Sequence, residues 1–92
     1  MAKLVVYNGF IESLGGLTSE RLLQNVSNML HTIEQMPGVG SNLVPDSIRH
    51  AFGPNVLKAL VSPYEILYEY DRDANTVYVY DLIYCPNVMI RS

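Results

Sequence analysis

The residues with most chemistry to offer sit close together in S-P-Y-E-I-L-Y-E-Y-D, Ser62 to Asp71. Read as a strand, the alternation puts Tyr64, Ile66, Tyr68 and Tyr70 on one face and Glu65, Leu67, Glu69 and Asp71 on the other. Paired carboxylates serve as general acid and base in glycosidic cleavage, but Glu65 and Glu69 share one strand face with no pocket evident around them. Two other readings stand: the acids keep an exposed sheet face soluble, or they offer a negative patch to a basic partner segment. Tyr78 and Tyr80 of the following strand join Glu65, Glu69 and Asp71 as candidate partner-binding residues. Tyrosines on a sheet also stack on nucleobases, yet such platforms lie in positive grooves. Here five carboxylates oppose the single Arg72 between Tyr64 and Tyr84, a net charge of −4. Core packing and cross-strand pairing account for most of the rings without a ligand.

The other reactive side chains have plainer readings. Cys85 is the only cysteine, so an internal disulfide and a cysteine-based metal site are both excluded; it reads as a small apolar residue near a strand end. No metal and no cofactor are expected. His31 shares the polar side of a helix with Gln24, Ser27, Asn28 and Gln35, the setting of a solvated histidine. Gly38-Val39-Gly40 is not a phosphate loop, because such a loop follows a strand and opens a helix, whereas this one follows a helix. Asn25-Val26-Ser27 fits a glycosylation pattern but falls inside that same helix.

The elements that must position these groups can be read from periodicity. Lys3 to Tyr7 is a β-branched run stopped by Asn8-Gly9, a strand and then a turn; Phe10 to Leu14 makes a turn or two of helix before Gly15-Gly16. From Thr18 to Gln35, Leu22, Leu23, Val26, Met29, Leu30 and Ile33 recur every three or four residues, one apolar stripe on a helix. Thr18 or Ser19 caps it, Glu20 faces the positive end of its dipole, and Pro37-Gly38 ends it. A helical turn over Ser47 to Phe52 carries Arg49 and His50. Strands follow at Val56 to Leu60, Tyr64 to Tyr70 and Thr76 to Ile83, the last two joined by the hairpin loop D-R-D-A-N. In the final strand both faces are largely apolar, so either Asp81 is tucked against a partner or the strand is bulged. This order predicts an α+β fold, with helices packed on one face of a small, mainly antiparallel four-stranded sheet and the other face open or half open for a ligand.

Length and composition set the bounds. With 92 residues, 49% of them hydrophobic, the sequence reads as a single domain over residues 1–92. A chain of this size buries roughly two thirds or less of its unfolded surface, so dimerisation or a bound partner would add needed stability. The net charge of −3 argues against general nucleic-acid binding, which works by counterion release from Lys and Arg clusters. M-A-K-L-V-V-Y lacks the apolar run of a signal peptide and nothing downstream approaches a membrane span, so a cytoplasmic location with no membrane contact is expected.

The element order, the P-G-V-G that closes the long helix, and K-A-L-V-S-P-Y-E-I-L-Y-E-Y-D followed by T-V-Y-V-Y-D-L-I-Y resemble the RelE/ParE superfamily of toxins from bacterial toxin–antitoxin modules, also called plasmid stabilisation proteins. The resemblance covers nearly the whole chain and is strongest from Asn55 to Tyr84. It implies one of two activities: ribosome-dependent cleavage of messenger RNA, as in RelE-like members, or poisoning of DNA gyrase, as in ParE-like members. Either is silenced by a cognate antitoxin that wraps the toxin. Cleavage needs a base for the 2′-hydroxyl, a cation for the phosphate and a donor for the leaving oxygen. Lys58 falls where RelE-like proteins carry one of their cations. Val56 stands at the position two residues earlier, Glu65 replaces the arginine expected after the aromatic of the middle strand, and Tyr84-Cys85-Pro86-Asn87 replaces a basic run. Tyr84 remains as a proton donor, and Arg49, His50 and Arg91 as cations carried outside the sheet. The resemblance, with this loss of positive charge, points to a toxin-like protein acting by protein–protein contact. The alternatives are a messenger-RNA endonuclease with a rearranged site and a non-toxic interaction domain of the same fold.

Overall fold

The computed structural model describes residues 1–86. Strand β1 (Lys3–Val6) is followed by helices α1 (Asn8–Gly15) and α2 (Glu20–Gln35), a 3-10 turn over Pro37–Val39, helix α3 (Asp46–Phe52), and strands β2 (Leu57–Val61), β3 (Tyr64–Asp71) and β4 (Thr76–Tyr84). The sheet order is β1-β4-β3-β2. β2, β3 and β4 form an antiparallel meander, and β1 returns beside β4 in parallel, Lys3 opposite Thr76 and Val6 opposite Val79. The α+β class, with a mainly antiparallel four-stranded sheet, is the one expected.

α2 forms where its apolar stripe predicts. Ser19 is the residue that caps it, its Oγ accepting from the Leu22 N–H at 3.1 Å, and Val26 and Ile33 are fully buried. With Phe10 of α1 they cover Ala59, Val61, Ile66, Tyr68, Val77, Val79 and Leu82 of the sheet. The tyrosine face of β3 thus meets the helices. The strand bounds shift by a residue or so: β2 runs to Val61, which pairs with Tyr64 across the turn at Ser62-Pro63. Tyr7 leaves β1 to precede α1, although its N–H still donates to the Val79 carbonyl at 2.9 Å.

One finding corrects the expectation that the helices pack on one face of the sheet, and another decides how β4 presents two apolar faces. α3 lies on the opposite face of the sheet from α1 and α2, where Ile48 and Phe52 pack with Val44, Val56, Leu67, Tyr80 and Ile83. The face expected to be open or half open is therefore half covered, and Leu67 is as buried as its neighbours Ile66 and Tyr68. Second, β4 is bulged: Leu67 pairs with Asp81 but Tyr68 pairs with Val79, leaving Tyr80 as the extra residue. Val77 and Val79 face α1 and α2 before the bulge and Leu82 does so after it, which resolves a strand with two apolar faces. Asp81 is also tucked against a partner, since its Oδ1 accepts from the Ser13 hydroxyl of α1 at 3.0 Å and from the Leu82 N–H at 2.8 Å.

Candidate functional site

Lys58, the cation at the centre of any RNA-cleaving reading, lies on β2 opposite Leu67, with Glu65 one diagonal step along β3. The Lys58 ammonium Nζ stands 3.7 Å from Glu65 Oε2, and the two side chains are only 29% and 16% exposed. A carboxylate so close cancels most of the field the lysine would offer a phosphate, and partial burial keeps solvent from screening the pair away. The other oxygen of Glu65 accepts from the Cys85 thiol at 3.4 Å. Burial first, and then this bond, push the thiol above its ordinary pKa, so Cys85 is held as the protonated donor. A cavity of about 360 Å³ opens beside the pair, with Met29, Val39 and Leu60 on its apolar side.

Among the described residues the other cleavage candidates do not converge on Lys58. Arg49 spends its guanidinium on the loop before α3, donating from Nη2 to the carbonyls of Asn42 at 3.2 Å and Val44 at 3.4 Å. His50 is exposed on α3. Tyr84 pairs with Tyr64, their rings 5.4 Å apart and edge to face, so it belongs to the α1/α2 side of the sheet while Lys58 belongs to the α3 side. Asn87 and Arg91 lie outside the described residues.

The acids beyond Glu65 also have internal work. Glu69 Oε1 accepts from the Tyr80 hydroxyl at 3.1 Å. Asp71 Oδ1 accepts from the N–H groups of Asp73 at 3.1 Å and Ala74 at 3.2 Å, fixing the β3–β4 turn. These two acids, with Tyr78 and Tyr80, line a cavity of about 550 Å³. Glu65 does not join them, since it lies beside Lys58. Tyr7 also belongs to this cavity, its ring centroid 4.9 Å from Tyr80 and 6.4 Å from Tyr78, perpendicular to both. Sequence reasoning missed Tyr7 because nothing local reveals that β1 pairs with β4. Burial, then the hydrogen bond and charge of Glu69, push the Tyr80 phenol up to about 12. Among the described residues no group of three or more His, Cys, Asp or Glu could hold a metal ion, and no helix is long and apolar enough to cross a membrane.

No protein-family model matches the chain, and no curated protein matches it. Solved structures do. A chain of the intact E. coli RelBE toxin–antitoxin complex superposes with a TM-score of 0.72 at 15% identity, over 95% of this chain and 100% of that one. The RelBE2 toxin–antitoxin complex of Mycobacterium tuberculosis gives 0.72 at 19% identity, over 90% and 96%. The YoeB/ParE toxin of Agrobacterium tumefaciens gives 0.69 at 12%, over 89% and 96%. The chain has the RelE/ParE toxin fold. At these identities the likeness is one of backbone, and on this RelE/ParE scaffold the side chains that would do chemistry are the chain's own: a lysine neutralised by a glutamate at one place, and tyrosines with acids at another.

Proposed function

We propose that the protein is the toxin-like component of a type II toxin–antitoxin module, bound by a cognate antitoxin, and that it acts by protein–protein contact instead of cutting messenger RNA. The observation that carries this reading is the 3.7 Å approach of Glu65 to Lys58. Loss of one preorganised donor at a developing charge costs on the order of a hundredfold to a thousandfold in rate, and a carboxylate in its place adds repulsion. Support for the module comes from the fold, since chains of similar backbone occur in the RelBE complexes. The target is then reached through a protein surface, DNA gyrase in a ParE-like mode, or is lost in an eroded member still held by its antitoxin.

The test is induction of the chain with and without the product of the adjacent small reading frame. Growth arrest relieved by the neighbour, with no cuts in translated messenger RNA by primer extension, is the expected result. Clean cleavage within codons refutes it, and would restore the ribosome as target. Unaffected growth together with the absence of a small neighbouring frame would assign a non-toxic interaction domain.

A further inference from the structure

The 550 Å³ cavity on the α3 side of the sheet has a lining that shares no residue with the Lys58–Glu65 pair. Its walls include the rings of Tyr7, Tyr78 and Tyr80, with Tyr7 standing edge to face against Tyr78 at 85° and Tyr80 at 84°. Phe52 of α3 stacks on Tyr80 at 5.7 Å and 23°, so that ring is fixed in place before any ligand arrives. Tyr80 in turn holds the Glu69 carboxylate through its hydroxyl. Only Oε1 of Glu69 takes that bond, and no described residue donates to Oε2. Glu69, Asp71 and Asp73 against Arg72 give the cavity a net charge of −2. Tyr7 is 46% exposed, which leaves the cavity open to a macromolecular surface.

The faces of aromatic rings attract cations through their quadrupoles, and carboxylates beside them exclude anions, which removes phosphate and nucleic acid from the candidates. Between the two side chains that stay cationic across the physiological pH range, a guanidinium fits better than an ammonium. It is planar, more weakly hydrated, stacks on a ring and can present two parallel N–H groups to one carboxylate. Charge complementarity names the source, because a chain of net charge −3 whose acids concentrate on this sheet draws a basic segment. We infer that this cavity captures an arginine side chain presented by a basic segment of a partner protein. The inference rests on the reading that the chain is bound by a partner, and adds the chemistry of the contact.

The experiment is a titration of the full chain, labelled at its tyrosine rings, followed by NMR. The probe is a blocked glycine peptide carrying one arginine, and its control is the same peptide with citrulline, which keeps the shape and removes the charge. The expected result is movement of the Tyr7, Tyr78 and Tyr80 ring signals with the arginine peptide alone, while Tyr64 and Tyr84 on the other side of the sheet stay still. Glu69→Gln, which preserves an acceptor for Tyr80, should weaken the arginine peptide by about tenfold, and Tyr78→Ala by roughly threefold. Equal response to citrulline, equal movement of Tyr64 and Tyr84, self-association without peptide response, or no loss in Glu69→Gln each overturns the inference. Copurification with the neighbouring gene product separates the two claims. A complex unweakened by Glu69→Gln and Tyr78→Ala sinks the arginine site and spares the module. Arginine binding without any complex spares the site and sinks the module.

Discussion

Tyr68 reaches through the core with its ring and ties down the loop after α2 with its hydroxyl, which donates to the Pro37 carbonyl at 2.7 Å and accepts from the Gly40 N–H at 2.8 Å. The approach is so close that a Cβ on Gly40 would lie 2.6 Å from Tyr68 Oη and 2.9 Å from the Lys58 carbonyl. Tyr68→Phe should therefore cost about 1–3 kcal/mol, the range for leaving part-buried partners unsatisfied, and Gly40→Ala should destabilise by steric displacement of the same contact; urea midpoints measure both. The sequence shows P-G-V-G as a helix stop, but the need for glycine at position 40 comes from a residue 28 positions away and is invisible locally. Tyr80 gives a pH prediction. Its pKa is raised in the folded chain from 10.0 to about 12, so the neutral phenol is favoured by folding. That contribution is complete below pH 10 and is lost as pH rises from 10 through 12. Spectrophotometric titration should find a tyrosine ionising near 12, and Glu69→Gln should lower that value only in part, because burial, the larger cause, remains while the carboxylate that repels a phenolate is gone.

Among the elements, α2 is legible because its stripe is long and its Ser19 cap local; β4 is legible as a strand over Thr76 to Ile83, but its inward row is not, because a bulge changes which residues face inward without changing composition. Val77, Val79 and Leu82 make one buried row only once Tyr80 is taken out of register. The side of the sheet chosen by α3 was equally hidden, for seven residues give too short a pattern to state a direction. Among the site candidates, the sequence placed Glu69, Asp71, Tyr78 and Tyr80 on neighbouring strands, but Tyr7 needed the parallel return of β1 and Phe52 the docking of α3. The bulge is secured by Asp81, which links β4 to α1 through Ser13. Asp81→Ala removes both bonds at its Oδ1. It should lower stability by about 1–2 kcal/mol and speed amide exchange in α1 more than in α2, which is capped by its own Ser19. Ser13→Ala should do the same to a smaller degree, since the bond to Leu82 survives.

The whole molecule carries 9 acidic and 6 basic side chains, a poor endowment for work on a polyanion. Ribosomal RNA attracts proteins chiefly through Lys and Arg, with affinity that rises steeply as salt is lowered. Here the lysine best placed on the sheet is paired, and the arginine of α3 is bonded to backbone carbonyls. On the contact reading, sedimentation with ribosomes should stay weak even at low ionic strength, and Lys58→Ala should leave growth arrest intact. Removing Lys58 would itself unpair Glu65, whose carboxylate is only 16% exposed, so a stability loss must be separated from a functional one. Glu65→Gln makes that separation. It frees Lys58, moves the net charge from −3 toward zero by one, and keeps a group for the Cys85 thiol. A contact-acting protein should be indifferent to both changes. A nuclease should lose activity with Lys58→Ala and gain it with Glu65→Gln, because the same ammonium is first deleted and then released toward the phosphate. Opposite responses of the two variants in the growth assay would therefore overturn the contact reading with one pair of strains.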